Sequence, residues 1–351
     1  MSKLRSGFTT GTCAAAAAKA AVRFLLERFT SREVEITLPE GDRVVLPLVY
    51  VRGNGVSAEA AIRKDAGDDP DITNGLTVVA SVTGIEGDDV VIAAGEGVGT
   101  VTKPGLSVAP GEPAVNPVPR RMIREAVREV TDRGMKVTLS VPGGKEIAAK
   151  TFNPRLGVEG GLSILGTSGR VRPFSCPALR TSLKCLLDVA VACGIRAPVF
   201  VPGHIGERAA KRHFSVSSGQ VIEVSNEWGF MLDCAAGHGF EALLVLGHPG
   251  KLAKLAMGEW NTHSSRSKSA VAFVSVLAGR VLGKHVQEMP TVEGIFSALS
   301  GEEKKELGDA LAGSVRRAVS ERVGENFEIA VVLVNMQGER IGNDGDLRRW
   351  M

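Results

Sequence analysis

Apolar and polar positions are patterned differently in the two halves of this chain. From Thr12, the run CAAAAAKAAVRFLLERF sets Val22, Leu25, Leu26 and Phe29 on one stripe, and its alanines favour helix. Thr9, Thr10 and Thr12 stand at its start, where hydroxyls satisfy exposed backbone N–H groups. Short strands are expected at Glu33–Leu38, Arg43–Tyr50, Leu76–Thr83 and Val90–Ala94, separated by Gly/Asp-rich turns at Ala66–Asp71 and Glu86–Asp89. A second helix is predicted over about Pro119–Arg133, with proline in its first turn and Gly134 as its stop. A strand at Lys136–Val141 follows. Strands and helices without regular alternation predict an α+β domain over residues 1–155.

Beyond it, apolar runs at Leu162–Leu165, Pro198–Val201, Val221–Val224, Ala242–Leu246 and Ile329–Val334 mostly alternate with helical segments. Those segments are Pro177–Cys193, Glu207–Phe214, Phe230–Gly239, Lys251–Met257 and Ser267–Leu282, with Thr291–Leu299 and Gly301–Arg322 before the last strand. This pattern predicts a Rossmann-like α/β domain with a mainly parallel sheet over residues 156–351. Such sheets bind ligands in loops beyond their strand C-termini. The loops in question are Gly166-Thr167-Ser168-Gly169, Pro202-Gly203-His204, Ser225-Asn226-Glu227 and Gly247-His248-Pro249-Gly250-Lys251.

Charge and composition narrow the partners. With 42 basic against 39 acidic residues, the chain lacks the surplus of a duplex-coating protein, and 5% aromatics is poor equipment for stacking on single strands. No nucleic-acid partner is expected. Five cysteines without a C-x-x-C pair suit a reduced, cytoplasmic chain in which thiols are small apolar fillers. Met1–Thr12 holds no long apolar run, and Lys19 ends the alanine stretch Ala14–Ala18, so neither a signal core nor a membrane partner is expected. Locally, charge is less even. Arg155, Arg170, Arg172, Arg180 and Lys184 face only Glu159 over that stretch, and Arg120 and Arg121 open a helix after Asn116-Pro117-Val118-Pro119. Arginine forks suit carboxylates and phosphates, so a polyanionic small molecule is the favoured partner over a merely solvated face.

No motif settles the chemistry by itself. Val90–Ala94 followed by Gly95-Glu96-Gly97-Val98-Gly99 resembles the opening of a methyltransferase site for S-adenosylmethionine. However, Ala93 stands where an acid is expected, and the glycines lead into Val101–Gly105 rather than a helix. A turn that lets backbone approach a ligand, or a plain structural turn, is the better reading. Gly247–Leu252 mimics the end of a phosphate loop but has Val245 and Leu252 where glycine and a hydroxyl residue are needed. It can still accept an anionic or adenosyl group at a helix start. The six histidines show no metal-ligand spacing, so no protein-bound metal is expected and each is ordinarily structural. His204 and His248 stand out as strand-end residues, and His263 sits with Arg266 in a polar loop.

Four segments together resemble one family: Leu4–Ala15 (LRSGFTTGTCAA), Gly95–Leu106 (GEGVGTVTKPGL), Gly111–Arg120 (GEPAVNPVPR) and Gly161–Gly169 (GLSILGTSG). The chain resembles the CbiD-type cobalt-precorrin-5B C(1)-methyltransferases of anaerobic cobalamin biosynthesis, over essentially its whole length. The resemblance implies methyl transfer from S-adenosylmethionine to ring carbon 1 of a cobalt-containing, anionic tetrapyrrole, with cobalt arriving only inside the substrate. On that reading Thr9, Thr10, Gly11, Thr12 and Cys13 are expected to bind substrate carboxylates, because helix-end N–H groups favour anions. Lys103, Asn116, Arg120, Arg172 and His263 would assist them. Gly166, Thr167, Ser168 and Gly169, with His204, Gly247, His248, Gly250 and Lys251, are expected to hold S-adenosylmethionine, the two glycine loops each following a strand of the parallel sheet. No indispensable catalytic residue and no oligomeric state can be read. Two other classes stay open: a nucleotide-using small-molecule enzyme, and a non-catalytic carrier of tetrapyrrole intermediates.

Overall fold

The alanine-rich helix organises the first of two units. The computed structural model describes residues 4–285, 289–324 and 327–351, so Met1, Ser2 and Lys3 of the opening stretch lie outside the described residues. Its two units are Met1–Cys176 and Pro177–Met351.

The first unit runs β1 (Gly7–Phe8), α1 (Thr10–Glu27), β2 (Glu33–Thr37), β3 (Arg43–Gly53), β4 (Ser57–Arg63), β5 (Thr77–Gly84), β6 (Val90–Ala94), β7 (Gly97–Val98) and β8 (Thr100–Val101). It continues with α2 (Pro117–Arg128), β9 (Met135–Ser140), α3 (Gly144–Ala148), α4 (Asn153–Leu156), β10 (Val158–Glu159), β11 (Gly161–Leu162) and β12 (Arg170–Val171). A six-stranded sheet has the order β2-β3-β4-β5-β9-β6, antiparallel except for the β9–β6 pair. Helix α1 lies against β2 to β5 and against α2. Cys13 to Ala18 are wholly buried there, because side chains no larger than Cβ or Sγ let the helix backbone approach both neighbours at interior density. Strand β4 was not expected: SAEAAIR is too alanine-rich to read as a strand, and its two flanking strands supply the preference its sequence lacks.

The unit boundary falls later than the expected 155/156. Strand β10 pairs with β8, β11 with β7, and β12 with β1, so residues 158–171 are built into the first unit. The Leu162–Leu165 run is therefore no strand of the second unit's sheet.

That second unit contains α5 (Cys176–Ala192), β13 (Val199–Val201), α6 (His204–His213), β14 (Val221–Glu223), α7 (Trp228–Ala236), β15 (Ala242–Gly247) and α8 (Pro249–Ala256). Then come α9 (Val271–Leu282), α10 (Val292–Ser297), α11 (Gly301–Val323), β16 (Glu328–Val334) and β17 (Arg340–Asp344). The sheet order is β14-β13-β15-β16-β17. The pairs β14–β13, β13–β15 and β15–β16 are parallel, while β17 is an antiparallel edge. Val199, Val201, Leu244, Leu246, Val332 and Val334 form one buried face with Ala209 and Ala210 of α6 and with Trp350. Among the described residues no helix is long and apolar enough to cross a membrane.

Candidate binding site

The threonine–glycine segment of the first unit is interlocked with the Gly166–Gly169 loop. Thr9 caps α1 by accepting from the Thr12 N–H at 3.2 Å, and the Thr12 hydroxyl donates to the Gly169 carbonyl at 2.8 Å. The Thr10 hydroxyl accepts from the Leu165 N–H at 2.9 Å and donates to the Leu165 carbonyl at 3.2 Å. Gly11 N–H donates to the same carbonyl and Thr9 N–H to the Gly169 carbonyl. A Cβ on Gly166 would stand 2.4 Å from Thr9, so the glycine exists to let the two segments touch. Thr9, Thr10, Thr12 and Cys13 are buried, and burial pushes the Cys13 thiol up to about 12. The groups expected to meet substrate carboxylates are thus spent on holding the fold. Of the Gly166–Gly169 loop, Thr167 is exposed.

Other first-unit candidates are divided. Arg120 donates to the Val115 and Pro113 carbonyls and pairs with Glu112 at 3.2 Å. Lys103 reaches the Arg155 carbonyl at 3.5 Å. Asn116 precedes α2 without a side-chain cap bond, its N–H donating to the Ile164 carbonyl. Arg172 is exposed. The Gly95–Gly99 turn is backbone packing rather than a ligand cradle: a Cβ on Gly97 would lie 2.0 Å from the Val141 carbonyl oxygen.

The second unit places its candidates along the C-terminal edge of the parallel strands. After β13 the chain next forms β14 on one side, then crosses to form β15 on the other. The loops after β13 and β15 therefore diverge from a switch point, where open parallel sheets take ligands. A Cβ on Gly247 would stand 2.8 Å from Pro202, which sets these loops side by side. His204, Gly247, His248, Gly250 and Lys251 all lie here.

His248 is held in one tautomer. Its Nδ1 accepts from the Gly250 N–H at 3.0 Å, leaving the proton on Nε2, which donates to Glu293 at 2.7 Å. Lys251 donates to the Asn226 side-chain oxygen at 3.0 Å, and the Thr262 hydroxyl donates to the same atom at 3.1 Å. Burial pushes the Lys251 pKa down, Glu223 opposes this and Lys254 adds to it, leaving it below the usual lysine range. Buried Lys254 donates to the Thr262 carbonyl and the Ser267 hydroxyl, and Glu227 receives Arg180 and Asn261. His263, by contrast, is exposed, its Nδ1 accepting from the Ser265 N–H at 3.2 Å.

Gly203, Gly206, Glu223 and Asn226 belong to this edge; of these only Gly203 and Asn226 were named from the sequence, as members of the expected strand-end loops. The signal for the first three was a Gly-x-x-Gly directly after one apolar run and an acid ending the next. His204, Glu207 and Glu223 offer ligand atoms within 4.8 Å of one another, a donor set able to hold a cation. Lys211 already donates to Glu207 at 2.8 Å.

Comparison with known proteins decides the family. The CbiD family model matches residues 1–173, and the model for the CbiD C-terminal domain matches residues 261–345. This chain belongs to the CbiD family. A protein of Syntrophotalea carbinolica named cobalt-precorrin-5B C(1)-methyltransferase is 54% identical over 350 residues, covering 100% of both chains. One of the same name from Methanocaldococcus jannaschii is 43% identical, with 97% of this CbiD chain and 96% of that protein covered. The crystal structure of a cobalamin biosynthesis protein, CbiD, from Archaeoglobus fulgidus is 30% identical and covers 70% of this chain and 78% of its own, with a TM-score of 0.40.

Proposed function

We propose that this chain is a methyltransferase that methylates carbon 1 of cobalt-precorrin-5B in anaerobic cobalamin biosynthesis, giving cobalt-precorrin-6A. The observation that carries this reading is identity of 54% across the full length of a relative bearing that name. The methyl donor in this reading is S-adenosylmethionine, leaving as S-adenosylhomocysteine, and the setting is the cytoplasm. We further read the second unit as Rossmann-like, with the donor bound at its strand C-terminal edge. The residues there fit such a molecule: a Cβ on Gly203 would meet only a Glu223 carboxylate oxygen, Lys251 offers a cation for the donor's carboxylate, and Glu223 offers an anion.

The donor supplies an electrophilic methyl carbon on a sulfonium. Ring carbon 1 contributes the electron pair of the new C–C bond, and the C–S pair returns to sulfur. This chemistry needs alignment and exclusion of water more than acid–base catalysis. The chain's own part is therefore to bind and orient. Lys251 and Asn226 tie the loop after β15 to the loop after β14, and the His248–Glu293 pair fixes the start of α8.

The test is incubation of the purified chain with cobalt-precorrin-5B and methyl-labelled S-adenosylmethionine, followed by mass spectrometry. Gain of one labelled methyl at carbon 1 is expected. A bound but unmodified corrinoid, with folded protein and intact substrate, would replace the enzyme by a carrier.

A further inference from the structure

The β13–α6–β14 segment is arranged as a ribose-recognition element. Gly203 and Gly206 follow β13 directly at the start of α6, and Glu223 ends β14, twenty residues beyond Gly203. The two strands are parallel neighbours, with Val201 opposite Glu223. A Cβ on Gly206 would stand 2.9 Å from the Val201 Cβ and 3.1 Å from the Leu246 carbonyl oxygen, so this glycine seats the helix on the strands. A Cβ on Gly203 would meet only a Glu223 carboxylate oxygen, at 3.6 Å. Gly203 thus leaves a gap beside that carboxylate, at the switch point of the sheet.

In dinucleotide sites, glycines at these two positions allow close approach and helix packing, and an acid about twenty residues on takes the ribose hydroxyls. The first glycine of that longer fingerprint is missing, since position 201 is valine. That glycine serves the turn around a pyrophosphate, which an adenosyl sulfonium does not have. We propose that Glu223 accepts hydrogen bonds from the ribose hydroxyls of the methyl donor's adenosyl group, which packs over the Gly203 backbone. This rests on the reading of the donor as S-adenosylmethionine. Lys211 on Glu207, and Lys251 facing Glu223, supply the positive charge that a cation would otherwise bring to this cluster.

The experiment is calorimetric binding of S-adenosylhomocysteine and its 2′-deoxy analogue to the full chain. Glu223→Gln should weaken S-adenosylhomocysteine about thirtyfold, equivalent to about 2 kcal/mol. The wild-type chain should lose a similar factor on the deoxy analogue, and Glu223→Gln should barely distinguish the two compounds. Gly203→Ala, whose added methyl meets only ordinary contact in the protein, should keep the wild-type melting temperature yet bind at least tenfold more weakly. Wild-type affinity in Glu223→Gln, undiminished discrimination by it, or equal binding of both compounds by the wild type would overturn the proposal. So would affinity that requires manganese and disappears with chelator, which assigns the cluster to a cation. Failure of the wild type to bind S-adenosylhomocysteine at all would overturn the donor assignment itself.

Discussion

Thr10→Val separates a structural role for the threonine–glycine segment from a substrate-binding one. Valine keeps the shape of threonine and removes the hydroxyl, which both donates to and accepts from Leu165. The Leu165 carbonyl keeps the Gly11 N–H, but the Leu165 N–H loses the side-chain partner that holds it. Stranding one such donor, together with the lost second bond, costs about 2 kcal/mol. For a chain of 351 residues that lowers the melting temperature by about 3 °C. Thr10→Ser keeps both bonds and should fall much less. Thermal unfolding followed by circular dichroism, paired with methyl-transfer kinetics below the transition, reads both roles. The expected result is a lower melting temperature with the KM for corrinoid unchanged. Wild-type stability with a raised corrinoid KM would refute the reasoning and return Thr10 to the substrate.

Three further outcomes follow from the same geometry. Lys64 is buried with its ammonium 2.6 Å from Asp71; Lys64→Met should cost about 3 kcal/mol in urea denaturation, and Asp71→Asn in that background should recover part of it. Burial holds the Cys13 thiol at about 12 against an ordinary 9.0, so its contribution to stability is complete below pH 9 and is lost as pH rises toward 12. Stability of the wild type should therefore fall more steeply over that window than that of Cys13→Ala, by up to about 1.4 kcal/mol per pH unit. Because burial lowers the Lys251 pKa, its charge, and with it the hold on the donor's carboxylate, should be lost on alkaline titration sooner than for an exposed lysine. The KM for S-adenosylmethionine should rise on that limb, and Lys251→Met should flatten the profile; an identical profile in both would remove Lys251 from the site.

Much of the architecture was legible because it is written in local pattern. The strand Val90–Ala94 was read to the residue and the apolar runs of β13 to β16 closely, since buried strands announce themselves by period. Helix α1 was read as a helix, but not its face: of the expected stripe Leu26 is exposed and Phe29 lies beyond the helix end, and the buried face is the alanine run with Val22. Where pairing overrides propensity, the reading failed. Ser57–Arg63 is a strand only between its two partners, and polar Arg340–Asp344 only along β16. Leu162–Leu165 has a core-strand composition yet contributes only Leu162 to a strand, opposite Val98 of the first unit. No pattern within nine residues could report a partner more than sixty positions away.

The site was less legible for a related reason. The segments that carry the family resemblance, TTGT, GEGVGT and GLSILGTSG, look like ligand loops because they are rich in glycine and hydroxyls. In the structure those residues meet one another: Thr9 against Gly166, Thr10 against Leu165, Thr12 against Gly169, Gly97 against Gly161. A helix start and a loop that touch without a sheet between them supply hydrogen bonds from side chains as well as backbone and must shed Cβ atoms to come close. The same composition therefore marks an interlocked core as readily as a binding loop. Residues at the second unit's strand ends carry no such density of motif. Glu223 and Gly203 acquire meaning only through the parallel register that puts Val201 opposite Glu223, and that register is a property of the fold.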